Sequence, residues 1–374
     1  MANRLRPTVA AKKKKRAIRL ALFNHKGGVS KTTTAFHLGW MLAQKGHTVV
    51  LIDADPQCNL SGLVLGYRGQ KDFEAFYRTE PERNIKAGLA PAFESRPKMI
   101  EAIDCVPVQG AKNLFLLPGH IGLSEYEVTL GIAQELSGSI QTLQNLPGSL
   151  SFLLDKTAER HDAEFVLIDM NPSLSSINQN LLMTSDFFLV PTSPDYFSVM
   201  AIDSLTTVIP RWRAWAKQAA GVKVLRDATY PFPDVTPRFL GTIVQKYRIR
   251  NTNDLGTESG APTSGKPAEG FQRWINEVNR IVREKFIPML RTEKMLIASE
   301  RYAPLKIEED RCLAEISDFN SLIAKSQDAQ TPVFALSDEQ IELTGVVLER
   351  TKKSREMFKT IFTRLSEIVV ELTK

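Results

Sequence analysis

The chain has 374 residues, 43% of them hydrophobic and 24% charged, with a net charge of +6, a balance that belongs to a globular protein able to bury a sizeable core. Its three cysteines, Cys58, Cys105 and Cys312, lie far apart, which excludes a disulfide framework and a C-x-x-C metal site and points to a reducing cytosol. No run approaches the roughly 18 consecutive apolar residues of a membrane-spanning helix.

Residues 1–17 read as a disordered basic tail. Arg4, Arg6, Lys12, Lys13, Lys14, Lys15, Arg16 and Arg19 are eight of the 48 basic residues, so 40 remain against 42 acidic ones over the rest of the chain. The high pI therefore belongs to the tail. Such a tail either holds phosphate backbones or is a solvated leader. The apolar run that follows is short, lacks a small-residue cleavage site and opens into a glycine-rich loop, unlike a secretory signal.

From residue 18 the pattern is that of an α/β protein. A buried strand over 17–24 leads into NHKGGVSKTTT, and TTTAFHLGWMLAQKGH has helical periodicity with Gly46 at its stop. Further apolar strands are expected at 48–55, 113–119, 164–170, 186–192 and 238–245, with helices between most of them. The fold class is thus a doubly wound, mostly parallel sheet, whose ligands sit at the carboxyl ends of its strands. Residues 250–270 are rich in Gly and Pro and read as a mobile loop. Phe271, Trp274, Ile275, Val278, Ile281, Val282 and Phe286 then fall on one helical face, either extra core or a docking surface. A second apolar helical face closes the chain through Phe358, Ile361, Phe362, Leu365, Ile368, Val369 and Leu372.

The run from residue 25 to Thr32 has the layout of a phosphate-binding loop, with His25 and Ser30 where glycines are usual. In such a loop successive backbone N–H groups wrap the phosphates, the terminal lysine reaches the β and γ oxygens, and the next hydroxyl binds Mg²⁺. Lys31 and Thr32 fill those last two roles by position. Two strands end in carboxylates: 48–55 in Asp53 and Asp55, and 164–170 in Asp169. Three carboxylates at the sheet edge that carries the loop make a site for a Mg²⁺-nucleotide, since the metal takes hard oxygen ligands or waters held by them.

KGGVSKTT, DADPQCNL, FVLIDMNPSL and VPTSPDYFSVMAIDSL, in that order, resemble the deviant Walker-type ATPases of the ParA/MinD group, and ParA partition ATPases above all. The resemblance runs from about residue 18 to 210, resumes weakly at 238–250 and after 300, and takes PVFAL with the terminal helix as the family's closing strand and helix. It implies one ATPase domain over 18–374, with an inserted loop at 250–270 and a helical insertion at about 271–300. It implies ATP and Mg²⁺ as cofactors, slow ATP hydrolysis and an ATP-dependent homodimer in which Lys26 reaches the partner's nucleotide. Gly27, Gly28, Val29, Ser30, Lys31, Thr32 and Thr33 would cradle the phosphates, and Pro194 would bound the base. Asp55 would orient the attacking water, while Thr32, Asp53 and Asp169 would serve the metal.

The resemblance further implies a bacterial, cytoplasmic, nucleoid-associated protein that binds DNA without sequence preference and is stimulated by a ParB-like or other protein partner. Nine basic residues (Arg211, Arg213, Lys217, Lys223, Arg226, Arg238, Lys246, Arg248, Arg250) with Trp212, Trp215, Tyr230 and Tyr247 interleaved are the expected DNA footprint. Two other readings stay open: a ParA-like switch serving cargo positioning, secretion or antiphage defence, and MinD-like membrane binding. The mixed charge on the terminal helix disfavours the membrane. Three departures stand out: Ser30 and Cys58 replace family glycines, and Asn171 replaces a proline. A side chain at a left-handed position costs about 1–2 kcal/mol.

Overall fold

The computed structural model describes residues 16–67, 69–136, 141–249 and 263–374. Most of the expected basic tail and most of the expected loop at 250–270 lie outside the described residues. Eight strands form one sheet among them: β1 (Ile18–Leu22), β2 (Val49–Asp53), β3 (Val106–Pro107), β4 (Leu114–Leu117), β5 (Phe165–Asp169), β6 (Phe187–Thr192), β7 (Arg238–Tyr247) and β8 (Cys312–Ser317). Their order is β3-β4-β2-β5-β1-β6-β7-β8, with every pairing parallel except β3 with β4. The six strands read from the sequence are all present, each within two residues of its expected ends.

The pleat divides the core in two. Ala21, Val50, Ile52, Val166, Ile168 and Val190 face one cluster, while Leu20, Leu22, Val49, Leu51, Leu167 and Leu189 face the other, as side chains alternating along a strand must. Both faces are covered, which is why the strands read as unbroken apolar runs. Helices Leu146–Arg160, Ser176–Met183 and Tyr196–Gly221 cover the first face; Lys31–Gln44 and Gly345–Thr373 cover the second.

Helix Glu269–Ile281 proves to be core: Ile275, Val278, Ile281 and Phe286 are buried in the first cluster, and Lys285 pairs with Asp203 of helix Tyr196–Gly221 at 2.7 Å. A π-helical turn at Val282–Phe286 precedes Pro288, which has no N–H to donate and whose ring would clash with the carbonyl four residues back in a regular helix. The terminal helix buries its apolar face too, with Phe358, Phe362, Leu365 and Val369 in the second cluster.

PVFAL is not the closing strand. Val333–Ala335 is one turn of 3-10 helix, and the sheet closes instead on β8, CLAEIS. The half-buried Glu315 interrupts that strand's apolar run, which hides it from a search by pattern.

Two turns carry the departures noted in the sequence. Ser30, just before helix Lys31–Gln44, has φ 63 and ψ 31; Cys58, just before helix Asn59–Leu65, has φ 54 and ψ 34. Both are left-handed, so at both positions a side chain occupies a conformation that glycine adopts without strain. Ser30→Gly is expected to stabilise the fold by about 0.5–1 kcal/mol, the strain released less the extra chain entropy glycine loses on folding; at Cys58 the loss of a fully buried side chain offsets that gain. Denaturant midpoints measure this, and an unchanged or lowered midpoint for Ser30→Gly would show that its turn carries no strain.

Candidate functional site

The parallel order brings three strand ends together. Asp53 of β2 pairs in register with Asp169 of β5, which in turn pairs with Leu22 of β1, the strand that leads into the glycine-rich loop. Loop, Asp53, Asp55 and Asp169 therefore meet at one sheet edge because the chain registers these strands together. A cleft of about 1050 Å³ opens there, lined by Gly27, Gly28, Val29, Ser30, Lys31, Thr32, Thr33 and Asp55 among others. Gly28 has φ 74, a conformation its lack of a side chain permits. The N-terminus of helix Lys31–Gln44 adds unpaired amides and a positive dipole end, which favour an anion.

Lys31 is buried, and its ammonium donates to the carbonyl oxygens of Asn24 at 3.0 Å and Lys26 at 3.4 Å. Burial lowers its pKa, while Asp169 and Asp55 oppose that shift. The carboxylates are pushed the other way. Burial raises Asp53 to about 7 against the hydrogen bonds from Ser61, whose N–H donates at 2.7 Å and whose hydroxyl donates at 2.6 Å. Burial and then the charge of Asp53 raise Asp169 to about 8. Asp55 is raised by burial and accepts from the Gln57 N–H at 2.9 Å.

The two registered aspartates differ in what they have left to offer. Asp53 spends its oxygens on Ser61 and on the Asp55 N–H at 3.2 Å. Both oxygens of Asp169 are buried without a hydrogen-bond partner; Thr32 and Lys31 beside it favour its charged form but do not donate to it within hydrogen-bond geometry. Hard oxygen donors left unpaired beside a threonine hydroxyl fit Mg²⁺ or its waters. Bound there, the metal would supply charge neutralisation to the phosphates.

Lys26 is placed differently. It does not line the cleft; its ammonium reaches Asp195 at 2.5 Å and Ser198 at 3.0 Å. Pro194 is buried next to Asp195 and is likewise absent from the cleft lining. The thiol of Cys58 is buried, pushed up to about 12 first by burial, and packs near Tyr77 at 3.6 Å. Asn171 accepts hydrogen bonds from Asn178 and Ser173, which hold the turn after β5 without the family's proline.

Several residues of the cleft had no sequence signature. Ser61 fixes Asp53 and also accepts from the Gly119 N–H at 2.8 Å; a Cβ on Gly119 would lie 3.0 Å from the Asp53 carboxyl carbon, tight enough that a side chain there would push on the carboxyl. His37, held near 3 by burial, is neutral and joins the Thr33 carbonyl to the Val333 N–H. Gln245 and Lys246 reach the loop from the end of β7.

The expected DNA footprint is only partly realised. Trp212, Tyr230 and Tyr247 are buried, and Trp215 is half-buried against Phe232, so these rings are core and not stacking surfaces. Arg250 lies outside the described residues. Arg238 starts the ten-residue β7 and Arg248 follows its end, roughly 30 Å apart at strand rise. Arg211, Lys217, Lys223, Arg226 and Arg238 are exposed, and none of them lines the cleft.

The raised carboxylates set a pH dependence. A carboxyl whose folded pKa exceeds its unfolded value of 3.8 stabilises the fold at low pH and loses that contribution as pH rises towards the folded value, for Asp169 about 8. Nucleotide-free Asp169→Asn should therefore be more stable than the native chain at about pH 8, on the order of 2 kcal/mol, with the gap closing near pH 4. Equilibrium unfolding at the two pH values decides it; a gap independent of pH would remove the buried charge as its cause.

The family of AAA domains matches residues 17–219 of the chain. The chromosome partitioning protein ParA of Caulobacter vibrioides is 31% identical over 195 residues, 52% of this chain and 62% of that protein. The sporulation initiation inhibitor protein Soj of Bacillus subtilis is 27% identical over 191 residues, 51% and 64% of the two chains. The chain thus spans about three fifths of the length of these two relatives. Among solved structures, apo McdA of Cyanothece superposes with a TM-score of 0.52 at 18% identity, over 91% of this chain and 98% of McdA. A McdA variant in complex with ATP gives 0.50 at 15% identity over 92% and 97%; at such identities these likenesses show the fold. With the loop, the registered aspartates and the matched half of the chain in agreement, the chain belongs to the ParA family of P-loop ATPases.

Proposed function

We propose that the chain is an ATP-dependent dimerising switch that hydrolyses ATP slowly, binds DNA without sequence preference and acts in plasmid or chromosome partition. In this reading residues 18–374 form one ATPase domain. Lys31 and the loop amides from Gly27 to Thr33 hold the phosphates, Thr32 and Asp169 serve Mg²⁺ with Asp53 behind them, and Asp55 orients the attacking water. Catalysis then consists of positioning and charge stabilisation, with no covalent intermediate.

One observation carries the reading above the others. Two lysines of a single loop face different spaces: Lys31 is buried inside the cleft, whereas Lys26 turns out of it towards Asp195 and Ser198. Binding its own nucleotide does not call for a second cation turned away from the cleft. A lysine meeting a partner's γ-phosphate contributes only when ATP and dimer are both present, on the order of 4 kcal/mol per close charge pair at an effective dielectric near 20. Loss of the γ-phosphate on hydrolysis then weakens the dimer.

The alternative use in cargo positioning, secretion or defence drew on the uncovered segment 250–300. Burial of helix Glu269–Ile281 in the core removes much of that motive. The buried apolar face of the terminal helix argues against a membrane role, and no helix of the described residues is long and apolar enough to cross a membrane.

The test is ATP binding and ATP-dependent dimerisation, by light scattering, for three chains. Lys31→Ala should weaken ATP binding by more than about tenfold, whereas Lys26→Ala should bind ATP within a few fold of the native chain and fail to dimerise. Native-like dimerisation of Lys26→Ala sinks the switch. ATP-loaded native protein should also bind DNA with an affinity that falls steeply with salt, a log–log slope of about −4 to −5 if the five exposed cations contact phosphates. Indifference to DNA at low salt removes that half of the proposal.

A further inference from the structure

β7 ends beside the phosphate loop in irregular geometry. Lys246 has φ 66, and the pairing of β7 with β8 slips between Gln245 and Tyr247. In a regular strand, successive side chains leave on opposite faces. A left-handed residue at a slipped register re-aims them, and irregularities of this kind recur beside active sites. Here two consecutive side chains hold the phosphate loop and the helix that follows it. Gln245 donates to the Thr34 hydroxyl in the first turn of helix Lys31–Gln44, and the Lys246 ammonium donates to the Gly28 carbonyl at 2.9 Å. Lys246 is exposed and lines the cleft, so it is not a member of the outward basic surface to which the sequence assigned it.

Lys294 and Lys306 also have left-handed backbone, away from the cleft, so the conformation marks no site by itself; at Lys246 it comes with the contact to the phosphate loop. Gly28 is itself left-handed, with φ 74. For a loop to present its amides to an anion, its carbonyls must turn away, and each of those needs a partner. Gly28 has its partner in Lys246.

We propose that Lys246 is a positioning residue for nucleotide: by holding the Gly28 carbonyl outward, it keeps the loop amides directed into the cleft. This rests on the reading of the cleft as a nucleotide site. Because Lys246 acts through the loop, its effect falls on the phosphates common to ADP and ATP, in contrast to the role proposed for Lys26, which depends on the γ-phosphate and the dimer.

The test compares native protein, Lys246→Met and Lys246→Arg for binding of fluorescent ADP and ATP analogues with Mg²⁺, together with steady-state ATP hydrolysis and the melting temperature of the nucleotide-free chains. Lys246→Met should weaken both nucleotides by about tenfold, the loss of one charge-assisted hydrogen bond at an exposed site. It should raise KM accordingly and leave kcat within about twofold. Lys246→Arg should recover most of the affinity, and neither variant should melt earlier. Native-like affinity of Lys246→Met for both nucleotides overturns the proposal. Weakening of ATP alone also overturns it, since the lysine would then act on the γ-phosphate and not on the loop. If the native chain binds neither analogue, the reading of the cleft itself fails, a result distinct from equal binding by native and variant chains.

Discussion

Asp169 ends the strand next to the loop-bearing β1 with both of its oxygens buried and unpaired, and the cost of keeping a carboxylate there shapes everything around it. Burial penalises its charge, and Asp53, held in register on the next strand, adds repulsion. Lys31 is the buried cation that answers both, and its own pKa is lowered by the same burial. Burial holds Asp53 and Asp169 towards their neutral forms; ionised together, the three carboxylates would outnumber the one ammonium, and a divalent cation would balance that charge. A triphosphate then brings further negative charge, for which loop amides and the helix N-terminus are the available counterweights. The site is therefore unfavourable for the fold by itself and favourable only as a receptor, the usual relation between activity and stability at a functional site.

The strands and the motif order were legible in the sequence because a sheet buried on both faces writes itself as apolar runs, and because Asp53 and Asp169 close two of them. What the sequence did not disclose depends on geometry across the sheet. Lys246 lies in a run of basic residues, and nothing in its neighbours announces a left-handed turn that sends it to Gly28. Trp212 and Trp215 alternate with arginines along the chain, yet helical spacing turns Trp212 towards Phe23, with ring centroids 5.4 Å apart. Interleaving in sequence is not adjacency in space. The half-buried Glu315, pushed up to about 7 by burial, masked β8, and the apolar PVFAL, following Gln330 and Thr331, resembled the strand that CLAEIS supplies.

Asp195 links the loop to the helix that starts beside it. One oxygen accepts from the Ser198 N–H at 2.9 Å as the cap of helix Tyr196–Gly221, and the other holds the Lys26 ammonium. The pair is partly exposed, so separating it costs little in water. Tyr196, Phe197 and Met200 on the same first turns are exposed as well. Lys26 thus leaves from a surface that already presents apolar side chains, and movement of the lysine need not disturb the core.

Among the described residues twelve non-glycine residues have positive φ, and four of them, Ser30, Cys58, Lys246 and Gln330, line the cleft. Ser30, Cys58 and Lys246 each mark a turn at the carboxyl end of a different strand: β1, β2 and β7. Left-handed side-chain-bearing residues cost about 1–2 kcal/mol each and survive only where other contacts impose the conformation. Thr34 hydrogen-bonds the Ser30 carbonyl at 2.7 Å, the Cys58 N–H donates to Asp55 at 2.8 Å, and Lys246 holds Gly28. The bonds that impose these turns are thus the bonds that set the loop, the acidic turn and the clamp relative to one another. A substitution that relaxed one turn without preserving its bond would free the backbone and loosen the cleft together, so stability and nucleotide affinity need not move in the same direction.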